Sequence, residues 1–465
     1  MAVASALVAC HGRARPGTSG SSAKSEPHSG PAVALVDLRE GIPETSEATL
    51  LGFGPKPHDF TEMLAAVDKL ENDKEVKGVL VRFGTTSFGI ARAEELGEAL
   101  GRIKAKKPVI CHADGFTNST YFGAARGCTT IMMPVSGEVN AVGIAAQMIY
   151  VHKLLAEELH VDIDFLQVGK FKGAEEPLTR DGPSPEARES LETMLADMRE
   201  SWLGTIRAAR KPGADVAMED GPYIAGTAKE KGLVDEIGYF DDARDLAKKV
   251  AGVNRVVAKF GPAAQANDDD LGELVRSLAG DQSSAPIVIV RAIGGIADPG
   301  GGRSILGGSD GITEKEMART FLKLEDDDDV KAVVLRIDSP GGSALASDLI
   351  WHRLMSLRKK KPLVVSVGDM AASGGMYLAS AGSFVFANST SIVGSIGVVG
   401  GKISIGDALE QIGVHSETFA ARRGDPKAAA RAASESLLTK WDDDTRSRIF
   451  EQMTSIYDLF LARVA

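Results

Sequence analysis

Residues 324–369 read LEDDDDVKAVVLRIDSPGGSALASDLIWHRLMSLRKKKPLVVSVGD. Two β-branched runs, VKAVVLRID (330–338) and KPLVVSVGD (361–369), flank the amphipathic stretch SDLIWHRLMSLRKK (347–360). Strand, helix and strand in that order make a βαβ crossover. Strands apolar on both faces belong in a mainly parallel sheet with helices on either side. The fold class is therefore α/β. The pattern also occurs earlier in the chain. LENDKEVKGVLVRF (70–83) matches LEDDDDVKAVVLRI (324–337), KAKKPVICHAD (104–114) matches RKKKPLVVSVGD (358–369), and PAVALV (31–36) matches PIVIVR (286–291). Leu324 lies 254 positions after Leu70, and Pro286 lies 255 after Pro31. A register that steady marks a duplicated domain. The expected division is an export or lipoprotein signal, cut short at its start, with a flexible tether (1–30), a front repeat (31–259), a linker carrying one short helix (260–285) and a back repeat (286–465), a chance match being the alternative for the signal.

Bulk composition narrows the function. The 465 residues carry 53 Lys and Arg against 64 Asp and Glu, a formal charge of −11. That balance leaves no basic footprint for nucleic acid or for an anionic lipid surface. Apolar residues make up 43%, an ordinary share for packed domains, yet no run of about twenty exists to span a bilayer. Residues 2–9, AVASALVA, lead into Leu7-Val8-Ala9-Cys10, which resembles a bacterial lipobox whose cysteine is lipidated after cleavage. The expectation is an export signal, with membrane association through Cys10. Cys10, Cys111 and Cys128 show no CxxC spacing, so no zinc ribbon or redox motif is expected. Cys111 and Cys128 read as two buried free thiols, with a mutual disulfide as the alternative. The histidines form no HExxH pair, and the Gly-rich stretch 298–311 lacks the Gly-Lys-Ser/Thr ending of a phosphate loop. Neither a metal nor a cofactor is expected.

Three segments of the back repeat have the chemistry of a hydrolytic site. Asp338-Ser339-Pro340-Gly341-Gly342-Ser343 leaves a strand. Its glycines permit a tight turn with backbone N–H groups facing a cleft, which suits an oxyanion hole, although Ser-Pro-Gly-Gly is also a common turn. Gly368-Asp369-Met370-Ala371-Ala372-Ser373-Gly374-Gly375 leaves the next strand and opens a helix. Serine at such a junction is most often an N-cap. Here small neighbours on both sides would let a carbonyl approach Ser373, and the Gly374 N–H would point with the helix dipole at a developing oxyanion. Gly394-Ser395-Ile396-Gly397 is the third segment. Ser395 reads either as a structural hydrogen bonder or as a group that orients a base.

DSPGG, GDMAASGG and GSIG, in that order and spacing, resemble the long form of the signal peptide peptidase (protease IV) family, and the likeness runs from about residue 31 onward. Val168-Gly169-Lys170-Phe171-Lys172-Gly173-Ala174-Glu175-Glu176-Pro177 resembles that family's lysine segment, and Lys172 matches its general base. The resemblance implies two tandem Clp protease/crotonase-like domains. The front one would supply Lys172 and the back one Ser373 as nucleophile, with Gly342 and Gly374 as the oxyanion hole. It also implies a homo-oligomer, a tetramer in the tandem form. Such an assembly would hydrolyse hydrophobic peptides, such as cleaved signal peptides, on the extracytoplasmic side of a bacterial membrane.

The repeat bears on this division of labour. Ser373 falls opposite Asn118, Ser339-Pro340-Gly341 opposite Gly84-Thr85-Thr86, and Lys172 opposite the stretch from Arg422 and Arg423 to Lys427. Arginine cannot give up its proton and serve as a base. Each half thus keeps one part of a single site. A lysine, with a reference pKa of about 10.4, acts as a base near neutrality only when apolar burial lowers that value. Lys172 beside Phe171 and Ala174 suits such a pocket, and Lys170 reads as an exposed charge. Glu175 and Glu176 would oppose the shift and are expected to face solvent or a subunit contact. The front repeat runs on through Tyr223–Ala228 and Gly232–Gly238, which resemble the family's closing motif. The back repeat carries a long helix, Leu438–Ala465, and has no counterpart of roughly residues 206–251. Exposed apolar surface is therefore expected on it. Two other classes fit the same fold: a catalytically silent scaffold, and a crotonase-type acyl-CoA enzyme that needs no Ser-Lys pair.

Overall fold

The computed structural model describes residues 30–39, 41, 43–45, 59–84, 88–265, 286–297, 311–416, 418, 427, 430 and 433–465. Cys10 with the signal and tether, most of the linker, nearly all of the Gly-rich stretch, Thr85, Thr86, Arg422 and Arg423 lie outside them.

The main front-half elements are β1 (Ala32–Leu38), α1 (Phe60–Asn72), β2 (Val76–Phe83), α2 (Ile90–Lys104), β3 (Val109–Ala113), β4 (Gly115–Phe116), α3 (Asn118–Gly127), β5 (Thr130–Met133), β6 (Glu138–Val139), β7 (Asp162–Val168), α4 (Pro185–Ala209), β8 (Tyr223–Ile224), β9 (Glu236–Ile237), α5 (Phe240–Ala251) and β10 (Val256–Phe260). Strands β10-β1-β2-β3-β5-β9 form a parallel sheet in that order. The strands are apolar on both faces because both are covered. Met63, Val67, Leu96, Leu100 and Phe122 pack with Val79, Val81 and Cys111 in one cluster. Ala243 and Ala247 of α5 cover Val33, Leu80, Ile110 and Met132 on the other side. Helix α1 starts where it does because Asp59 and Glu62 form a capping box: Asp59 Oδ1 accepts the Glu62 N–H at 2.9 Å and Glu62 Oε2 accepts the Asp59 N–H at 3.1 Å. One expectation is corrected here. Cys111 and Cys128 are joined in a disulfide rather than left as free thiols. The Thr129 N–H donates to Val109 O at 2.7 Å, which draws the end of α3 onto β3. The two Cα atoms are then 5.9 Å apart, inside the bridging window of about 4.4–6.8 Å.

The back half repeats the plan with β11 (Ile287–Ile293), α6 (Glu314–Asp326), β12 (Ala332–Ser339), α7 (Ala344–Lys360), β13 (Leu363–Ala372), α8 (Gly374–Ala379), β14 (Phe384–Phe386), β15 (Ile392–Gly394), β16 (Val398–Ser404) and α9 (Asp443–Val464). Strands β11-β12-β13-β14 are parallel neighbours, and β15 also pairs with β13. The crossover read from residues 324–369 is β12, α7 and β13. Ile350, Leu354 and Leu357 of its helix are buried with Val333, Leu335 and Val365. The last helix begins at Asp443 and not at Leu438, because Asp442 Oδ1 accepts the Thr445 N–H at 2.8 Å and fixes the start. On the other face Ile287 is 57% exposed and Phe386 63%.

A strand pair and several polar contacts join the halves. Strands β7 and β16 pair antiparallel from Asp162 opposite Ser404 to Val168 opposite Val398. Buried charges complete the join: Arg336 Nε donates to Glu44 at 2.7 Å and its Nη1 to Glu95 at 2.9 Å. Asp369 takes Arg92 Nε at 2.7 Å and the Ala91 N–H at 3.1 Å, so a back-half carboxylate complements the N-terminus of α2. Among the described residues no helix is long and apolar enough to cross a membrane.

Candidate active site

Strand β13 ends at Ala372, and the chain turns into α8 through Ser373 at φ 53° and ψ −115°. Few non-glycine residues hold a positive φ without a reason, and functional sites are where such strain collects. The Ser373 N–H donates to Gly394 O at 2.8 Å, and its carbonyl accepts the Tyr377 N–H at 3.0 Å. The hydroxyl makes no cap hydrogen bond, which removes the N-cap reading. Gly341, at φ 97°, passes directly behind the turn: a Cβ there would lie 2.6 Å from Gly374 N and 2.7 Å from Ser373 Cβ. Its loop is clamped by the Ile296 N–H on Gly341 O at 2.8 Å and by the Ser343 N–H on Ile296 O at 2.9 Å. Ser339 Oγ donates to Gly294 O at 2.7 Å and accepts the Gly341 N–H at 3.2 Å. Neither the Gly342 nor the Gly374 N–H has an acceptor among the described residues.

Lys172 follows β7 and is 7% exposed. Gly397 admits it, since a Cβ at that position would sit 2.8 Å from Lys172 Cβ. The amine donates to Ser395 O and to Ser395 Oγ, both at 3.1 Å. Ser395 too has a positive φ, 52°. Adjacent residues Gly394 and Ser395 therefore hold the backbone of Ser373 and the amine of Lys172. Burial pushes Lys172 below its ordinary value, with the Glu175 carboxylate opposing. The expectation for the two glutamates is corrected: neither faces solvent. Glu175 is 7% and Glu176 4% exposed. Glu176 is turned inward because its Oε2 accepts the Ser184 N–H at 2.8 Å, at the start of α4. Burial raises Glu175 toward its neutral form, which weakens its hold on the lysine's charge. Phe171 is half exposed and packs under the Lys170 ammonium, 5.0 Å from its ring centre. The wall beside Lys172 is Ala174 instead. Lys427 is exposed, so it provides no second buried amine.

Ser373, Lys172, Gly342 and Gly374 line one cavity of about 380 Å³. Ser373 Oγ and Lys172 Nζ make no direct hydrogen bond here, a looseness common in unliganded sites. Sequence reasoning missed the larger apolar part of the lining, which includes Tyr377, Val399, Ile456 and Phe460. The four-residue spacing of Ile456 and Phe460 on a helix was the available signal. Among the described residues no cluster of His, Cys, Asp and Glu is arranged to hold a metal ion.

A parallel-sheet repeat protein with a strained serine and a buried lysine on one cavity defines a class, and family comparison agrees with it. The model of peptidase family S49 matches residues 102–254 and 355–465, and the Clp protease model matches residues 305–394. The chain belongs to peptidase family S49. Protease 4 of Haemophilus influenzae is 29% identical over 383 residues, covering 78% of this chain and 60% of that protein. The protein named "Serine protease SPPA, chloroplastic" of Arabidopsis thaliana is 28% identical over 354 residues, 76% of this chain and 51% of that one. The chain spans between half and three-fifths of the length of these relatives.

Proposed function

We propose that this chain is a serine endopeptidase in which Ser373 is the nucleophile and Lys172 the general base, acting on hydrophobic peptides such as cleaved signal peptides. The observation that carries the reading is the shared cavity of a buried lysine amine and a serine hydroxyl without a cap. A serine hydroxyl attacks a carbonyl only when a neighbour takes its proton, and a lysine does so only when its neutral form is populated. In the proposed cycle Ser373 Oγ attacks the peptide carbonyl and gives its proton to Lys172. The Gly342 and Gly374 N–H groups hold the oxyanion, Lys172 protonates the leaving amine, and it then activates water to release the acyl group. Ser395 is the positioning residue for the amine. Assembly as a homo-oligomer, action at the extracytoplasmic side of a bacterial membrane and attachment through Cys10 belong to the same reading.

The test is labelling by a fluorophosphonate, followed by peptide hydrolysis. Ser373 is expected to label, and Ser373→Ala to lose both label and turnover. Lys172→Met should label far more slowly. The labelling rate should fall on the acid side as Lys172 takes up its proton, and that limb should vanish in Lys172→Met. Unchanged hydrolysis by Ser373→Ala would sink the assignment. Absence of label on folded protein would favour the silent scaffold.

A further inference from the structure

Strand β13 changes partner along its length. Val364–Ser366 pair with β14, and Met370–Ala372 pair with β15. The change is made by a slip in register against β12: Ile337 is opposite Val367, the next pair is Ser339 with Ala371, and Gly368, Asp369 and Met370 bulge out against Asp338. A bulge beside a functional site re-aims the strand that follows it. Here the re-aimed segment leads straight into Ser373. It lies against β15, where Gly394 O accepts the Ser373 N–H at 2.8 Å and the next residue, Ser395, accepts the Lys172 amine at 3.1 Å. The shape of the bulge therefore bears on both the serine and the lysine.

Three side chains hold the bulge. Asp338 Oδ1 accepts the Met370 N–H at 3.1 Å, and Ser391 Oγ donates to Gly368 O at 2.7 Å. The third is Asp369, which reaches into the front half. Helix α2 opens at Gly89, which has no side chain to cap it. Asp369 fills that place: its Oδ1 accepts the Ala91 N–H at 3.1 Å and the Arg92 N–H at 3.3 Å, and its Oδ2 accepts Arg92 Nε at 2.7 Å. A Cβ at position 89 would collide with the carboxylate. An anion at a helix N-terminus is favoured by the free N–H groups and by the dipole, and charge-assisted hydrogen bonds of this kind are short and directional.

We propose that Asp369 is a positioning residue: anchored on α2 of the front half, it fixes the β13 bulge so that Ser373 and Ser395 are presented to Lys172 in the right place. The inference rests on the peptidase reading and extends it to how the two halves are aligned. Lys172 comes from one half and Ser373 from the other, so an error in their alignment falls directly on the distance between base and nucleophile. A misplacement of about 1 Å at a reacting centre costs about 10²-fold in rate.

The test compares the full chain with Asp369→Ala, Asp369→Asn, Arg92→Ala and the double variant Arg92→Ala/Asp369→Ala, each checked for folding by thermal melting. In peptide hydrolysis Asp369→Ala is expected to lose about 10²-fold in kcat with KM held within about threefold. Asp369→Asn keeps an acceptor for the Ala91 N–H but not the charge, and should fall between. Arg92→Ala should lose in the same direction, and the double variant should be no slower than Asp369→Ala, because the two residues share one link. Unchanged kcat in folded Asp369→Ala overturns the proposal, and so does a double loss equal to the product of the single ones. If Asp369→Ala melts below the assay temperature, Asp369→Asn carries the same comparisons. Amide hydrogen exchange gives a readout that does not depend on turnover. In Asp369→Ala, residues 368–374 and 392–396 should exchange about tenfold faster while α7 exchanges as in the full chain. That local change, in a full chain that neither cleaves peptide nor takes the fluorophosphonate label, keeps the alignment role and overturns the peptidase reading. Unchanged exchange in those two segments overturns the alignment role itself.

Discussion

The same turn is built twice in this molecule, at Thr117–Asn118 in the front half and at Ala372–Ser373 in the back half. In the front half Thr117 Oγ1 accepts the Thr120 N–H at 3.3 Å, Thr120 Oγ1 accepts the Thr117 N–H at 2.9 Å, and Asn118 Nδ2 donates to Gly143 O at 2.6 Å. The helix start is capped by a reciprocal Thr117–Thr120 box, and of the Asn118 side chain only the buried Oδ1 is left without a hydrogen-bond partner among the described residues. In the back half the residue at the turn is strained at φ 53°, its hydroxyl caps nothing, and the Gly374 N–H after it has no acceptor among the described residues. One copy of the turn is closed by its own cap, and the other leaves the Ser373 hydroxyl uncapped and the Gly374 N–H without an acceptor among the described residues. Duplication lets a fold hold strain in one place while the paired place stays relaxed.

Three experiments break or sharpen that contrast. The largest effect is expected from Gly341→Ala. The new Cβ would meet Gly374 N at 2.6 Å from a backbone at φ 97°, so the hole is displaced and kcat should fall by about 10²–10³ in steady-state kinetics. A loss under twofold would place the oxyanion donors elsewhere. In the front half, Cys128→Ser opens a cross-link between residues 17 apart and should cost about 3 kcal/mol in urea unfolding. Ser373 labelling by the fluorophosphonate should remain. The smallest effect belongs to the cap: Thr117→Ala should cost about 1 kcal/mol and leave labelling as it was. A labelling defect in that variant would mean that the relaxed turn supports the strained one.

The parallel sheet and the short segments that meet at the cavity were legible because each is local. βαβ spacing needs only about forty consecutive residues, and Ser373, Lys172 and the Gly341–Gly342 turn sit in short motifs. What escaped depends on distant packing. Glu175 and Glu176 look solvated in sequence, yet the start of α4 folds over them and Ser184 draws Glu176 inward. Cys111 and Cys128 lacked a motif spacing, and only the docking of α3 on β3 brings them together. Phe460 reaches Tyr377 from a helix far downstream, so nothing near Ser373 could announce it. The start of α9 was misplaced because Leu437 and Leu438 extend its apolar pattern, whereas the Asp442 cap sets where it begins.

The hydrogen bond from Lys172 to Ser395 spans 223 positions. A chain still being synthesised therefore carries Lys172 as an ordinary hydrated ammonium until β16 has emerged and zipped onto β7. Closing so long a loop is among the slower steps of folding. The surroundings that push Lys172 below its ordinary value are thus assembled only when the second half arrives and Ser395 and Gly397 close over the amine.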